Sequence, residues 1–217
     1  MSFLNIPKLT FDQIRSDAKI CFVADFPSHA DELVNQGYSD SAGSTLAQCI
    51  GHAGMSMAEA SLIFLIPNAC SQAESLRYWS PKGGFTTKAT EHFPDFRERL
   101  REANANVYVP LGEMAMQALV PKKGITKWHG SILEAIDYYD NVKVIPSMDP
   151  RSAIRQYLYR YYISSDLKRV KEECNFKELN LPVRNLIVQP SFPEACSFLD
   201  SCLQAERVAV DIEVYKL

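Results

Sequence analysis

The chain has 217 residues, 47% hydrophobic and 23% charged, with a formal net charge of −3. That composition excludes disordered, collagenous and coiled-coil classes, and the length allows one ordinary α/β domain with a remainder. No apolar run reaches the ~18 residues of a membrane span, and the N-terminal stretch MSFLNIPKLTFDQIRSD lacks a secretory pattern, so a cytoplasmic protein without membrane contact is expected. The six cysteines show no CxxC and no metal spacing, and read as reduced thiols.

Charge is distributed unevenly. Residues 1–80 carry four basic and eight acidic side chains, whereas residues 151–173 carry six basic and three acidic ones. A locally basic stretch permits a nucleic-acid site on one face, although charge alone favours an ordinary solvated helix face.

In chain order, residues 20–24 (ICFVA) read as a buried strand breaking into Asp25-Phe-Pro-Ser. Residues 43–52 read as a helix, 61–66 (SLIFLI) as a second strand stopped by Pro67, and 71–90 as a long surface excursion. An amphipathic helix is predicted over 93–102, a third strand over 106–110, and a helix over 112–119. A fourth strand follows over 142–146, then a helix from about 151 to 162. This alternation predicts a three-layer α/β/α fold around a mostly parallel, four-stranded sheet. Sites in such sheets gather in the loops after the carboxyl ends of the strands. Here those loops hold Asp25-Phe-Pro-Ser, Pro67-Asn68, Leu111-Gly112 and Met148-Asp149-Pro150. No GxGxxG follows the first strand, which disfavours a dinucleotide site.

Several of these stretches form an ordered series: Ala24-Asp-Phe-Pro-Ser28, Tyr38 ahead of Ser41-Ala-Gly43, Pro67-Asn68 and Val109-Pro-Leu-Gly-Glu-Met-Ala115. Ile125-Thr-Lys-Trp-His-Gly130 and Pro146-Ser-Met-Asp-Pro150 complete it. The series resembles the uracil-DNA glycosylase superfamily, in particular the family-4 enzymes and the glycosylase-like domains fused in front of some phage A-family DNA polymerases. The resemblance implies a domain over residues 1–175 that binds single-stranded or template DNA in the host cytoplasm, with replisome proteins as further partners.

It also implies roles. Tyr38 falls at the base-stacking aromatic, and Asn68 at the amide that reads a uracil edge by donating and accepting together. Asp25 falls at the carboxylate that orients water, with Phe26, Pro27, Pro150 and Arg151 around the substrate. The same residues have plain structural alternatives: a half-buried tyrosine, a turn asparagine and a loop-capping aspartate. Two departures stand out. Asp149 occupies the place of the family's catalytic histidine, and an ionised carboxylate there would repel the departing uracil anion. Phe26 and Ser28 replace glycines that let backbone approach the base. No iron–sulfur cluster is expected, since the cysteines miss the family-4 positions. Two functions stay open: a degenerate DNA- or partner-binding module, and an active uracil or modified-pyrimidine glycosylase.

After a linker at 176–184, residues 185–188 and 207–214 read as strands around a helix over 192–204. Val208-Ala-Val-Asp-Ile-Glu-Val214 resembles the first motif of DEDD-type 3′–5′ exonucleases. The resemblance implies that Asp211 and Glu213 would hold Mg2+ or Mn2+, in a complete exonuclease domain only. About 35 residues cannot form an independent core, so 185–217 is expected to be an incomplete β-α-β piece of a domain, and the resemblance implies that the parent is a longer DNA polymerase.

Overall fold

The computed structural model describes residues 11–136, 142–181 and 185–211. The chain divides into two units, Met1–Asn180 and Leu181–Leu217.

In the first unit, β1 (Ile20–Ala24) and β2 (Ala60–Phe64) are buried at every position. Between them lie α1 (His29–Val34) and α2 (Ser41–His52). Asp40 starts α2 by accepting the Ala42 and Gly43 amides, and Ala42, Leu46, Cys49 and Ile50 face inward at helical spacing. The 71–90 excursion contains a small hairpin of β3 (Trp79–Ser80) and β4 (Gly84–Phe85), then α3 (Thr87–Thr90). Helix α4 (Phe93–Ala103) buries Phe96, Leu100 and Ala103 and ends at Asn104, whose left-handed backbone closes it. Next come β5 (Val107–Pro110), α5 (Glu113–Leu119), α6 (Ile125–Trp128), β6 (Leu133–Glu134) and β7 (Lys143–Val144). The unit closes with α7 (Pro150–Arg155) and α8 (Leu158–Glu173).

The sheet order is β2-β1-β5-β7-β6, parallel except for antiparallel β6. Alternation along the strands feeds two cores. Cys21, Val23, Ile63 and Tyr108 pack with α3, α4 and α5 on one face, while Phe22, Leu62, Phe64 and Val109 pack with α2, α7 and α8 on the other. The three-layer α/β/α expectation therefore holds, with a correction: the sheet has five strands, not four. Strand β6 is two residues long, too short to leave an alternating pattern in the sequence. The single helix expected over 151–162 is also two helices, broken at Gln156-Tyr157.

In the second unit, α9 (Phe192–Cys202) begins with a reciprocal cap between Ser191 and Glu194. The strands expected at 185–188 and 207–214 do not form over their described residues, 185–188 and 207–211, which are exposed and paired in no ladder. An apolar run becomes a strand only with a hydrogen-bonded neighbour, and neither run has one among the described residues. No described helix is long and apolar enough to cross a membrane.

Candidate active site

The carboxyl ends of the parallel strands are tied together by backbone bonds running from loop to loop. The Leu65 and Ile66 amides donate to the Ala24 and Asp25 carbonyls, and the Cys70 amide donates to Pro27. Across β5, the Leu111 amide donates to Val23 and the Gly112 amide to Ser147. Four loops are thereby held around one opening, as expected for a doubly covered parallel sheet. The resulting cleft encloses about 220 Å3. That is below the roughly 300–1,000 Å3 typical of drug-sized ligand sites and suited to something near one planar base. Asp25, Phe26, Trp79, Gly112, Asp149 and Arg151 are among the residues lining it. A larger cavity of about 460 Å3 opens beside Ile20 at the other end of β1, but its wall mixes Asp17 and Glu59 with Lys19 and Lys171, and no loop after the carboxyl end of a strand reaches it.

Each carboxylate is held by a helix N-terminus. The Asp25 carboxylate accepts the Ala115 amide of α5 at 2.8 Å, a cap delivered from another strand. Asp149 is the N-cap of α7 and accepts the Arg151 amide at 2.8 Å. Burial pushes the Asp25 carboxyl up, the nearby Asp149 charge pushes the same way, and Arg151 with the Ala115 bond opposes them; the result is about 7. Asp149 is raised as well, by burial, against the pull of Arg151. Two acids that resist ionisation thus face a single opening.

Arg151 occupies the space between the aromatics. Its guanidinium lies 4.7 Å from the centre of the Phe26 ring and 6.0 Å from that of Tyr38, and it donates to the Phe26 carbonyl. Phe26 is 5% exposed and packs into the core beneath. Tyr38 is half-buried with φ 55° and stacks on Phe64 at 6.0 Å. Its backbone seat depends on Gly43: a Cβ there would stand 1.7 Å from the Tyr38 carbonyl oxygen.

A family model described as the uracil DNA glycosylase superfamily matches residues 11–175. The chain belongs to the uracil DNA glycosylase superfamily. The match spans the whole sheet and every helix from α1 to α8. A comparison with curated proteins finds no match.

Within this superfamily frame, the residues expected at the site fall into three groups. Asp25, Phe26, Asp149 and Arg151 line one cleft, with Pro27 and Pro150 buried in the adjoining backbone. Tyr38 joins them through Arg151. Asn68 does not line the cleft: its side chain is exposed in the loop after β2. In the second unit, Asp211 is exposed, while Glu213 lies outside the described residues. No group of three or more His, Cys, Asp or Glu side chains suited to a metal assembles among the described residues.

Three features of the site escaped the sequence reading. Glu113 reaches back to accept the Gly124 and Ile125 amides, fixing the turn into α6. Gly112, at φ 108°, brings the backbone so close that a Cβ would sit 3.1 Å from the Asp149 Cβ. Buried Asp166 accepts from Ser147 and from His129. The last had a visible signal. Asp166 falls among Ile163, Leu167 and Val170 on the inward stripe of α8, where a charged residue needs a partner.

Proposed function

We propose that residues 11–175 act as a DNA-binding, glycosylase-like module of a phage-type DNA polymerase, receiving nucleotides of single-stranded or template DNA without excising uracil at neutral pH. Contact with replisome proteins belongs to the same reading. The observation that carries it is the pairing of Asp149 with Asp25 at one cleft. N-glycosidic hydrolysis builds negative charge on the departing base, and a donor there is worth about 10²–10³ in rate. At pH 8, above the value of about 7 for Asp25, this cleft presents the Asp25 carboxylate, an acceptor, where a donor is needed. Arg151 supplies a positive charge but leans on Phe26 and Tyr38, the aromatic expected to stack a flipped base.

The polymerase context rests on the likeness of the segment around Asp211 and Glu213 to an exonuclease motif. The alternative reading, an active glycosylase, draws on one observation: with its carboxyl near 7, Asp25 keeps a protonated fraction close to neutrality and can donate in that form. Single-stranded DNA with one uracil tests both. The binding reading expects retention of the oligonucleotide on the protein, with excision near background at pH 8. Turnover at pH 8 with ordinary glycosylase kinetics would favour the alternative.

A further inference from the structure

A second cavity of about 300 Å3 adjoins the cleft, lined by Thr126, His129, Met148, Gln156, Tyr159 and Tyr162 among others. Its position follows from the lining residues. Met148 belongs to both walls, Ile125 lines the cleft while Thr126 lines the cavity, and Arg155 lines the cleft while Gln156 lines the cavity. Consecutive residues lie 3.8 Å apart, so the two spaces are next-door neighbours. Adjacent nucleotides of one strand can occupy both.

The cavity wall is built around an oriented imidazole. His129 Nδ1 lies 3.0 Å from one oxygen of Asp166, and the Ser147 hydroxyl donates to the other at 2.8 Å. Asp166 is 4% exposed and Ser147 wholly buried. The carboxylate draws the proton to Nδ1, which leaves Nε2, on the other side of the ring, as an acceptor. Gly130 makes the approach possible: at φ 69°, its missing Cβ would lie 2.6 Å from Asp166 Oδ1. The His129 ring stacks on Tyr162 at 5.0 Å, and Tyr162 lies 6.0 Å from Tyr159. A ladder of three rings with a fixed acceptor and the Gln156 amide beside it matches a nucleobase, which has a π-face to stack and N–H edges to donate.

We propose that this cavity is a second nucleotide subsite, holding the base that flanks the one in the cleft, with Tyr159 and Tyr162 as the stacking platform and His129 and Gln156 at the base edge. The proposal rests on the DNA-binding reading above. It makes the module a reader of two adjacent nucleotides rather than of one.

The test is fluorescence anisotropy of the full chain with labelled single-stranded pentanucleotides. In one the central base is flanked by normal nucleotides; in two others the 5′ or the 3′ neighbour is abasic. Base stacking sets the scale, so one abasic flank should weaken wild-type binding about tenfold and the other much less. In Gln156→Ala, Tyr159→Leu and His129→Ala chains that penalty should shrink towards one. Gln156→Ala and Tyr159→Leu leave the Asp166 interactions intact and keep the test readable if His129→Ala misfolds. A flank penalty equal in wild type and variants overturns the subsite while leaving the DNA-binding reading standing. No binding of any oligonucleotide overturns both.

Discussion

The Asp25 carboxylate, at the end of β1, accepts the backbone amide of Ala115 in the first turn of α5 at 2.8 Å, ninety residues along the chain. One side chain therefore serves two ends. It satisfies an otherwise unpaired helix donor, and it faces Asp149 across the cleft. The second role makes the first costly as pH rises.

Burial lifts the folded pKa of Asp25 to about 7, above the ~3.9 of an unfolded aspartate. Between those values the folded chain holds a proton that the unfolded chain has lost, so this residue's contribution to stability falls as pH rises from about 4 to 7. An asparagine keeps the acceptor for Ala115 and cannot ionise. Asp25→Asn should match wild type in urea melts at pH 4.5 and exceed it at pH 7.5. Asp25→Ala removes the cap and should lose about 0.5–2 kcal/mol at pH 4.5. A lower midpoint for Asp25→Asn at pH 7.5 would refute the buried-acid assignment.

Helix α2 offers a paired test of how Tyr38 is seated. At Gly51 an added Cβ meets nothing within 4 Å, so Gly51→Ala should stabilise by about 0.5–1 kcal/mol through helix propensity. At Gly43 the same methyl collides with the Tyr38 carbonyl, and Gly43→Ala should destabilise by about 1–3 kcal/mol and shift the Tyr38 ring. Guanidinium titration of the two variants checks the signs. Two stabilising substitutions would mean that the Tyr38 loop is not held against α2.

The sheet and its site-bearing loops were legible because fully buried runs such as ICFVA are unambiguous when bounded by Pro67 or Asp25-Phe-Pro. What was illegible had short range or long reach. Strand β6 is two residues, and the break between α7 and α8 lies in a stretch whose apolar spacing runs on. The Asp25–Ala115 and Glu113–Ile125 bonds join residues whose proximity exists only after folding. Tyr38, Asp149 and Arg151 were placed by motif order, and the geometry sets the Arg151 guanidinium over the Tyr38 ring while its backbone amide donates to Asp149. Asn68 followed the same motif order, yet it is exposed and does not line the cleft.

Restoring chemistry should require two changes. Asp149→His exchanges an acceptor for a donor, but Phe26 still packs beneath Arg151 and narrows the cleft. Asp149→His alone should therefore excise uracil only slightly above background, and Asp149→His/Phe26→Gly more. The Phe26 truncation also opens a cavity costing about 3–5 kcal/mol, so assays belong at low temperature with folding verified by circular dichroism. Equal rates for single and double variants would show that Phe26 does not obstruct the base.

Asp211 is exposed, and the described residues bring no second carboxylate into a metal cluster with it. Two carboxylates alone cannot hold two ions for in-line attack. The chain with Mg2+ or Mn2+ should leave the 3′ end of a labelled oligonucleotide intact. Metal-dependent shortening that disappears in Asp211→Ala would disprove this.

The most direct test of the central claim is single-turnover excision from uracil-containing single-stranded DNA, measured from pH 5 to pH 8 alongside binding of the same strand. The expected result is binding throughout and excision near background at pH 8, with any cleavage growing as pH falls through 7 and Asp25 takes up its proton. Robust excision at pH 8 that is lost in Asp25→Asn would contradict the account and make this domain a working glycosylase.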